Sequence, residues 1–359
     1  MGQTVTQFGR IFPPRPEWLA KAPDEPILDP DLPIIDTHHH LWHRQGGTAR
    51  GESWEVPDNR YLLHEFLADC ATGHNIVASV FLQCHSMYRA TGPREMRPVG
   101  ETEFVAGIAA MSDSGGYGKT RVAAGIVGYA DLTKGDWVEP VLEAHIRAGG
   151  GRFRGVRHSA GYDADPTIGN SAPDLQPGLY LRPDFRAGMQ CLSALGLSLD
   201  AWSFHPQLPD VVDLARAFPG TNIIMGHCGG PLGYGRYAGR RDEVFAAWKT
   251  SIVELAKCPN VTMKLGGMMM RLAAYDYMAL PAPPSSEQLA AHWRPYVETC
   301  LELFGPRRCM VESNFPVEKM GIGYAALFNA LKRLCSGASD ADKRAIFAGT
   351  ARRVYRLEC

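Results

Sequence analysis

Eight short runs of β-branched and apolar residues recur along the chain, and nearly every one is followed by a stretch with helical spacing. The runs cover 33–38, 75–83, 122–128, 153–157, 197–202, 222–225, 261–264 and 308–312. Helical periodicity predicts helices over 61–72, 104–112, 137–148, 183–195, 208–217, 242–257 and 286–304, with two more at 324–335 and 339–348. Repeated βα units bury a parallel sheet under helices. Eight of them are the number that closes a (β/α)8 TIM barrel, distorted here by long insertions at 84–103, 158–181 and 266–285. An open doubly wound sheet is the alternative. A length of 359 residues suits one such barrel as a single domain. Residues 1–30 are proline-rich and lack periodicity, which predicts an N-terminal arm, with the barrel over 31–359.

Composition removes several function classes. The formal net charge is −1, so the basic excess of a nucleic-acid binder is missing. No apolar run reaches the roughly 18 residues of a membrane span. The first sixteen residues hold two arginines and no apolar h-region, which predicts no secretion leader. Nine scattered cysteines without a Cys-x-x-Cys read as reduced core thiols and predict a cytoplasmic location. The segment from Ser114 to Thr120 resembles a phosphate loop. However, Asp113 stands where the first glycine is needed, and the segment precedes a strand. No G-x-S-x-G nucleophile elbow is present. The expected partner is a small molecule, with neither nucleic acid nor membrane, and a homo-oligomer is left open.

The candidate chemistry gathers at the C-terminal ends of the strands, where barrels of this kind carry their sites. Asp36-Thr37-His38-His39-His40-Leu41-Trp42 follows the first apolar run. Strand alternation puts His38 and His40 on one face with Asp36. The fourth run ends in Arg157 and His158. The fifth is followed by Trp202 and His205, the sixth by His227, and the eighth by Glu312 and Asn314. Lys264 lies on the seventh. Alternation puts Glu312 and Asn314 on a common face and makes Glu312 a candidate base. Arg157, Lys264 and His158 are expected at the mouth, with Tyr88, Arg89, Arg94 and Arg97 on the loop after the second run. Arginine suits bidentate carboxylate binding. Trp202, Tyr129 and Met268 to Met270 are expected to provide apolar walls.

Asp36-x-His38-x-His40-x-Trp42, Gly155-Val156-Arg157, His205-Pro206-Gln207, His227-x-Gly229 and Glu312-Ser313-Asn314-Phe315-Pro316-Val317 resemble the amidohydrolase-related (amidohydrolase 2) family. The likeness is closer to its lactone-hydrolase branch, which includes pyrone-dicarboxylate lactonase and fuconolactonase. It implies a distorted TIM barrel in which His38, His40, His205 and His227 match the family's strand-end histidines. One position departs: Asn314 stands where the family usually has Asp. A neutral amide offers an oxygen but cannot act as a base.

Two site readings follow. In one, a divalent ion, zinc or manganese, sits on His38, His40 and His205, and His227 or a carboxylate handles the proton. In the other, no metal binds and the histidines polarise a carbonyl directly. The expected function is hydrolysis of a lactone or similar cyclic ester on a small, carboxylated substrate. The alternative is metal-dependent nonoxidative decarboxylation of an aromatic or muconate-type acid. A third class is a catalytically weakened binding protein, with Asn314 as the lesion.

Overall fold

The computed structural model describes residues 13–44, 58–172, 175–268, 273 and 275–358. Residues 1–12 of the proline-rich segment, Met269, Met270 and Cys359 lie outside these. The described residues form ten strands: β1 (Ile34–His39), β2 (Trp42–Arg44), β3 (Asn59–Tyr61), β4 (Ile76–Leu82), β5 (Arg121–Gly128), β6 (Phe153–Ser159), β7 (Ser198–Trp202), β8 (Ile223–Met225), β9 (Val261–Gly266) and β10 (Cys309–Glu312). Eight of them form one parallel sheet in the order β1-β4-β5-β6-β7-β8-β9-β10. These are the eight runs seen in the sequence, each within two residues of its expected ends. β2 and β3 form a separate antiparallel pair that the sequence did not suggest. Three residues per strand are too few for alternation to show.

The last strand meets the first through the backbone. Asn314 N donates to His38 O at 2.7 Å, and His40 N donates to Phe315 O at 2.7 Å. This makes a nearly closed barrel and sets the mouth of β1 beside the end of β10.

The helices are α1 (Pro16–Leu19), α2 (Leu63–Cys70), α3 (Val99–Asp113), α4 (Glu139–Ala148), α5 (Pro183–Ala194), α6 (Leu208–Ala217), α7 (Arg241–Ala256), α8 (Ser286–Phe304), α9 (Tyr324–Leu334), α10 (Asp340–Arg344) and α11 (Thr350–Val354). A large apolar cluster fills the space between sheet and helices. A second joins Ile35, Val80, Leu82, Val127, Ile224 and Met310 to Ala351, Val354, Tyr355 and Leu357. The C-terminal helix therefore plugs one end of the barrel lumen and leaves the other for chemistry. Trp18 of α1 is buried and donates from Nε1 to Leu280 O at 2.8 Å. Among the described residues, eight cysteines are free thiols, seven of them buried. No helix among the described residues is long and apolar enough to cross a membrane.

Candidate active site

Glu312, the last residue of β10, is fully buried and faces two histidines. Its Oε1 accepts from His227 Nδ1 at 2.7 Å and from the His227 backbone N–H at 2.8 Å. Its Oε2 lies 2.9 Å from His38 Nδ1, at ion-pair distance although off the line of a hydrogen bond. The chain can present His227 twice because it turns left-handed just beyond β8, with φ of 54° at His227 and 49° at Cys228. Gly267 makes room for this contact. A Cβ there would lie 1.9 Å from His227 Nδ1 and 2.9 Å from Glu312 Oε1.

His40 is held from a different side. Its Nδ1 lies 2.8 Å from Leu82 O at the end of β4. A carbonyl oxygen only accepts, so His40 carries its proton on Nδ1 and leaves a lone pair on Nε2. That Nε2 is 3.2 Å from His38 Nε2, with the two rings perpendicular. Glu312 and Leu82 thus occupy the Nδ1 edges of three imidazoles and leave their Nε2 edges for other partners. Second-sphere acceptors of this kind fix the tautomer of ligating and catalytic histidines. Arg157 reaches the same edge: one guanidinium nitrogen is 3.2 Å from His38 Nε2, and the other donates to Gln83 O.

Burial pushes His38 and His40 well below the usual imidazole range, so both rings are neutral at pH 7. Burial works to raise the Glu312 carboxyl, but His227 and His38 outweigh it and hold the group well below ordinary carboxylate values. The site therefore presents an anion under two imidazoles and a guanidinium above them.

Several expected positions differ in the structure. Asp36 does not turn towards the imidazole edges, and its Oδ1 accepts from the His38 backbone N–H at 3.2 Å. The pairing of β1 with β4 shifts register between Asp36 and His39, and Asp36 turns to Ser313 N (2.9 Å), Ser313 Oγ (2.6 Å) and Tyr324 OH (3.0 Å). Asn314 has φ of 55°, which breaks strand alternation, and its amide donates to Glu318 Oε1 at 3.3 Å. Lys264 is not at the mouth. It is buried within the barrel, with Nζ 2.8 Å from both Asp200 Oδ1 and Thr37 O. Arg89 pairs with Glu103 at the surface. His158 packs between Tyr129 and Phe185, with ring centroids 5.3 Å away on each side and a bond from Leu132 N (3.4 Å), on the helix side of β6.

His205 accepts from Leu232 N at 3.3 Å and meets Tyr237 edge-on at 5.0 Å. Tyr88 OH bonds His85 Nδ1 at 3.0 Å. Trp202 meets His227 edge-on at 6.4 Å and walls that side of the cluster. Two contributors escaped sequence reasoning. Leu82 acts through its carbonyl oxygen, which no side-chain pattern reveals. Gly267 left one signal, the Gly266-Gly267 pair just after an apolar run.

Metal-ligating capacity is present. Among the described residues, His38, His227 and Glu312 each offer a ligand atom, all within 4.8 Å of one another. His205 is not in that group. The 3.2 Å between the Nε2 atoms of His38 and His40 also matches two imidazoles sharing one ion at about 2.1 Å each.

The amidohydrolase family model matches residues 35–357. The chain is 32% identical over 342 residues to protein y4mH of Sinorhizobium fredii, covering 91% of this chain and 99% of that protein. It is 27% identical over 330 residues to an L-fucono-1,5-lactonase of Burkholderia multivorans, covering 90% and 96%. A zinc-bound amidohydrolase crystal structure from Burkholderia multivorans superposes with a TM-score of 0.65, at 26% identity, over 90% of this chain and 99% of that one. With this match running almost from β1 to the C-terminus, the chain belongs to the amidohydrolase family and is an enzyme of that superfamily.

Proposed function

We propose that the enzyme opens a small lactone by adding water across the ring ester. One observation carries the reading: Glu312 holds His227 and His38 by their Nδ1 edges, beside a guanidinium. Ester hydrolysis needs a base for water and positive charge where the carbonyl oxygen becomes anionic. His227 has its Nδ1 proton held by Glu312, so its Nε2 is the base. Water loses a proton to Nε2 as its oxygen bonds to the carbonyl carbon. Glu312 stabilises the imidazolium that forms. The Arg157 guanidinium faces the carbonyl oxygen while it carries charge. The ring C–O bond then breaks, and His227 returns the proton to the leaving ring oxygen. The product is an open-chain hydroxy acid.

A divalent cation suits the same donors, through His38 with His40 or with His227 and Glu312. When bound, it supplies Lewis-acid polarisation of the carbonyl. Asn314 and His205 take no proton in this scheme.

The substrate class proposed rests on where two of the expected carboxylate binders stand. Arg89 is committed to Glu103 and Lys264 to Asp200, so neither is free to bind a carboxylate. That favours a neutral, hydroxylated lactone of the kind named for the Burkholderia relative over a carboxylated one. The test is a pH-indicator assay with L-fucono-1,5-lactone and other aldonolactones, run beside carbon dioxide detection with aromatic acids. Acid release without gas supports the proposal. Gas from an aromatic acid, with every lactone untouched, overturns it.

A further inference from the structure

The Nε2 edge of the histidine pair already has a cation beside it. His40 donates its only ring proton to Leu82 O, so its Nε2 is a lone pair. His38 Nε2 faces that lone pair at 3.2 Å. A guanidinium only donates, so the Arg157 contact at 3.2 Å makes His38 Nε2 an acceptor too, and Glu312 Oε2 stands 2.9 Å from His38 Nδ1 on the side that then carries the proton. Two lone pairs at this distance repel unless a positive group serves them. The Arg157 guanidinium does so, 3.2 Å from His38 Nε2 in hydrogen-bond geometry. It is not a loose surface charge. Arg157 lies within β6, in register with Asp200 of β7, and its other terminal nitrogen is anchored on Gln83 O. Its Nε is buried without a partner, so the residue accepts a desolvation cost to stand there.

We infer that Arg157 is the resident cation of the His38–His40 pair and sets how tightly that pair takes a divalent metal. Guanidinium and metal seek the same lone pairs, and an arginine cannot shed its charge near pH 7. An ion on this edge would sit within a few ångströms of a fixed positive charge. The repulsion at that range weakens binding by about 100-fold or more, even with substantial screening. Removing the guanidinium converts the edge into an unopposed pair of imidazole ligands. The inference concerns metal affinity and does not depend on the lactone reading. Its test uses no substrate.

The experiment is zinc titration of chelator-treated full-length enzyme against a chromogenic chelator, comparing wild type with Arg157→Met and Arg157→Lys. Arg157→Met should bind zinc about 100-fold more tightly than wild type, and Arg157→Lys, which keeps the charge, should stay close to wild type. Added guanidinium chloride at low millimolar concentration should weaken zinc binding by Arg157→Met and leave wild type unchanged. Equal affinity in wild type and a folded Arg157→Met overturns the inference. Should Arg157→Met fail to fold, the wild type decides alone. Sub-micromolar stoichiometric zinc in the presence of Arg157 overturns it, and micromolar or weaker binding supports it. A failed lactone screen would leave these titrations unaffected.

Discussion

Gly267 stands so close to His227 that a Cβ on it would lie 1.9 Å from the imidazole Nδ1. Its φ of 49° is also one that side chains rarely adopt. A methyl group there must push His227 off Glu312. Gly267→Ala is expected to lower kcat by about two orders of magnitude and to cost about 1–3 kcal/mol of stability from backbone strain. Steady-state kinetics with a melting curve check both. Turnover near wild type would show that the His227–Glu312 contact is dispensable.

Glu312→Gln keeps the size of the side chain but puts an NH2 where one carboxylate oxygen was. One of the two imidazole Nδ1 protons then faces a donor. The expected result is a fall in kcat of about 100-fold with little change in KM, because orientation and imidazolium stabilisation are lost together. A rise in KM alone would place Glu312 in substrate binding.

Lys264 distinguishes a structural ion pair from a substrate contact. It is buried with Asp200, whose Oδ1 also accepts from Tyr355 OH at 2.7 Å. Lys264→Met leaves a buried carboxylate without its cation and is expected to cost about 3–5 kcal/mol in urea unfolding. Lys264→Met/Asp200→Leu should recover part of that loss. A higher KM with unchanged stability would instead return Lys264 to the substrate.

Asn314→Asp places a second carboxylate against Glu318, whose Oε1 now accepts from the Asn314 amide at 3.3 Å. The variant should lose about 1–3 kcal/mol at pH 7, and Asn314→Asp/Glu318→Gln should restore most of it. The double-mutant cycle is read by thermal unfolding. Full additivity would mean that the two side chains do not interact.

His145 predicts the acid side of the stability curve. Burial lowers its pKa to about 4, and both ring nitrogens are used, by Thr102 Oγ1 at 2.7 Å and Tyr129 O at 2.9 Å. Its folded pKa is below the unfolded value of 6.5, so the unfolded state binds the extra proton first. The contribution is intact above pH 6.5 and is lost as pH falls towards 4, by about 3 kcal/mol in all. His145→Phe should flatten the slope of unfolding free energy over that window by close to one proton. An unchanged slope would show that His145 titrates normally.

The sequence by itself determined the barrel. Eight apolar runs alternating with helical periodicity leave little choice of topology, because each run must be buried on both faces and each helix on one. It also determined that His38, His40, His227 and Glu312 stand at one end, since each ends a strand run or lies within two residues of its end. Only the tertiary structure decided which way each side chain points. Alternation carried through β1 and β10 would have grouped Asp36 with the histidines and Asn314 with Glu312. A register shift after Asp36 and a positive φ at Asn314 turned both away. The same limit applies to Lys264 and Arg89: a charged residue looks alike in sequence whether it faces a substrate or a partner, and Asp200 and Glu103 lie 64 and 14 residues away. The tautomer of His40 rests on a backbone carbonyl of β4 and the seat of His227 on an absent Cβ at Gly267. These contacts belong to atoms that side-chain patterns do not describe, so they become visible only once the strands are side by side.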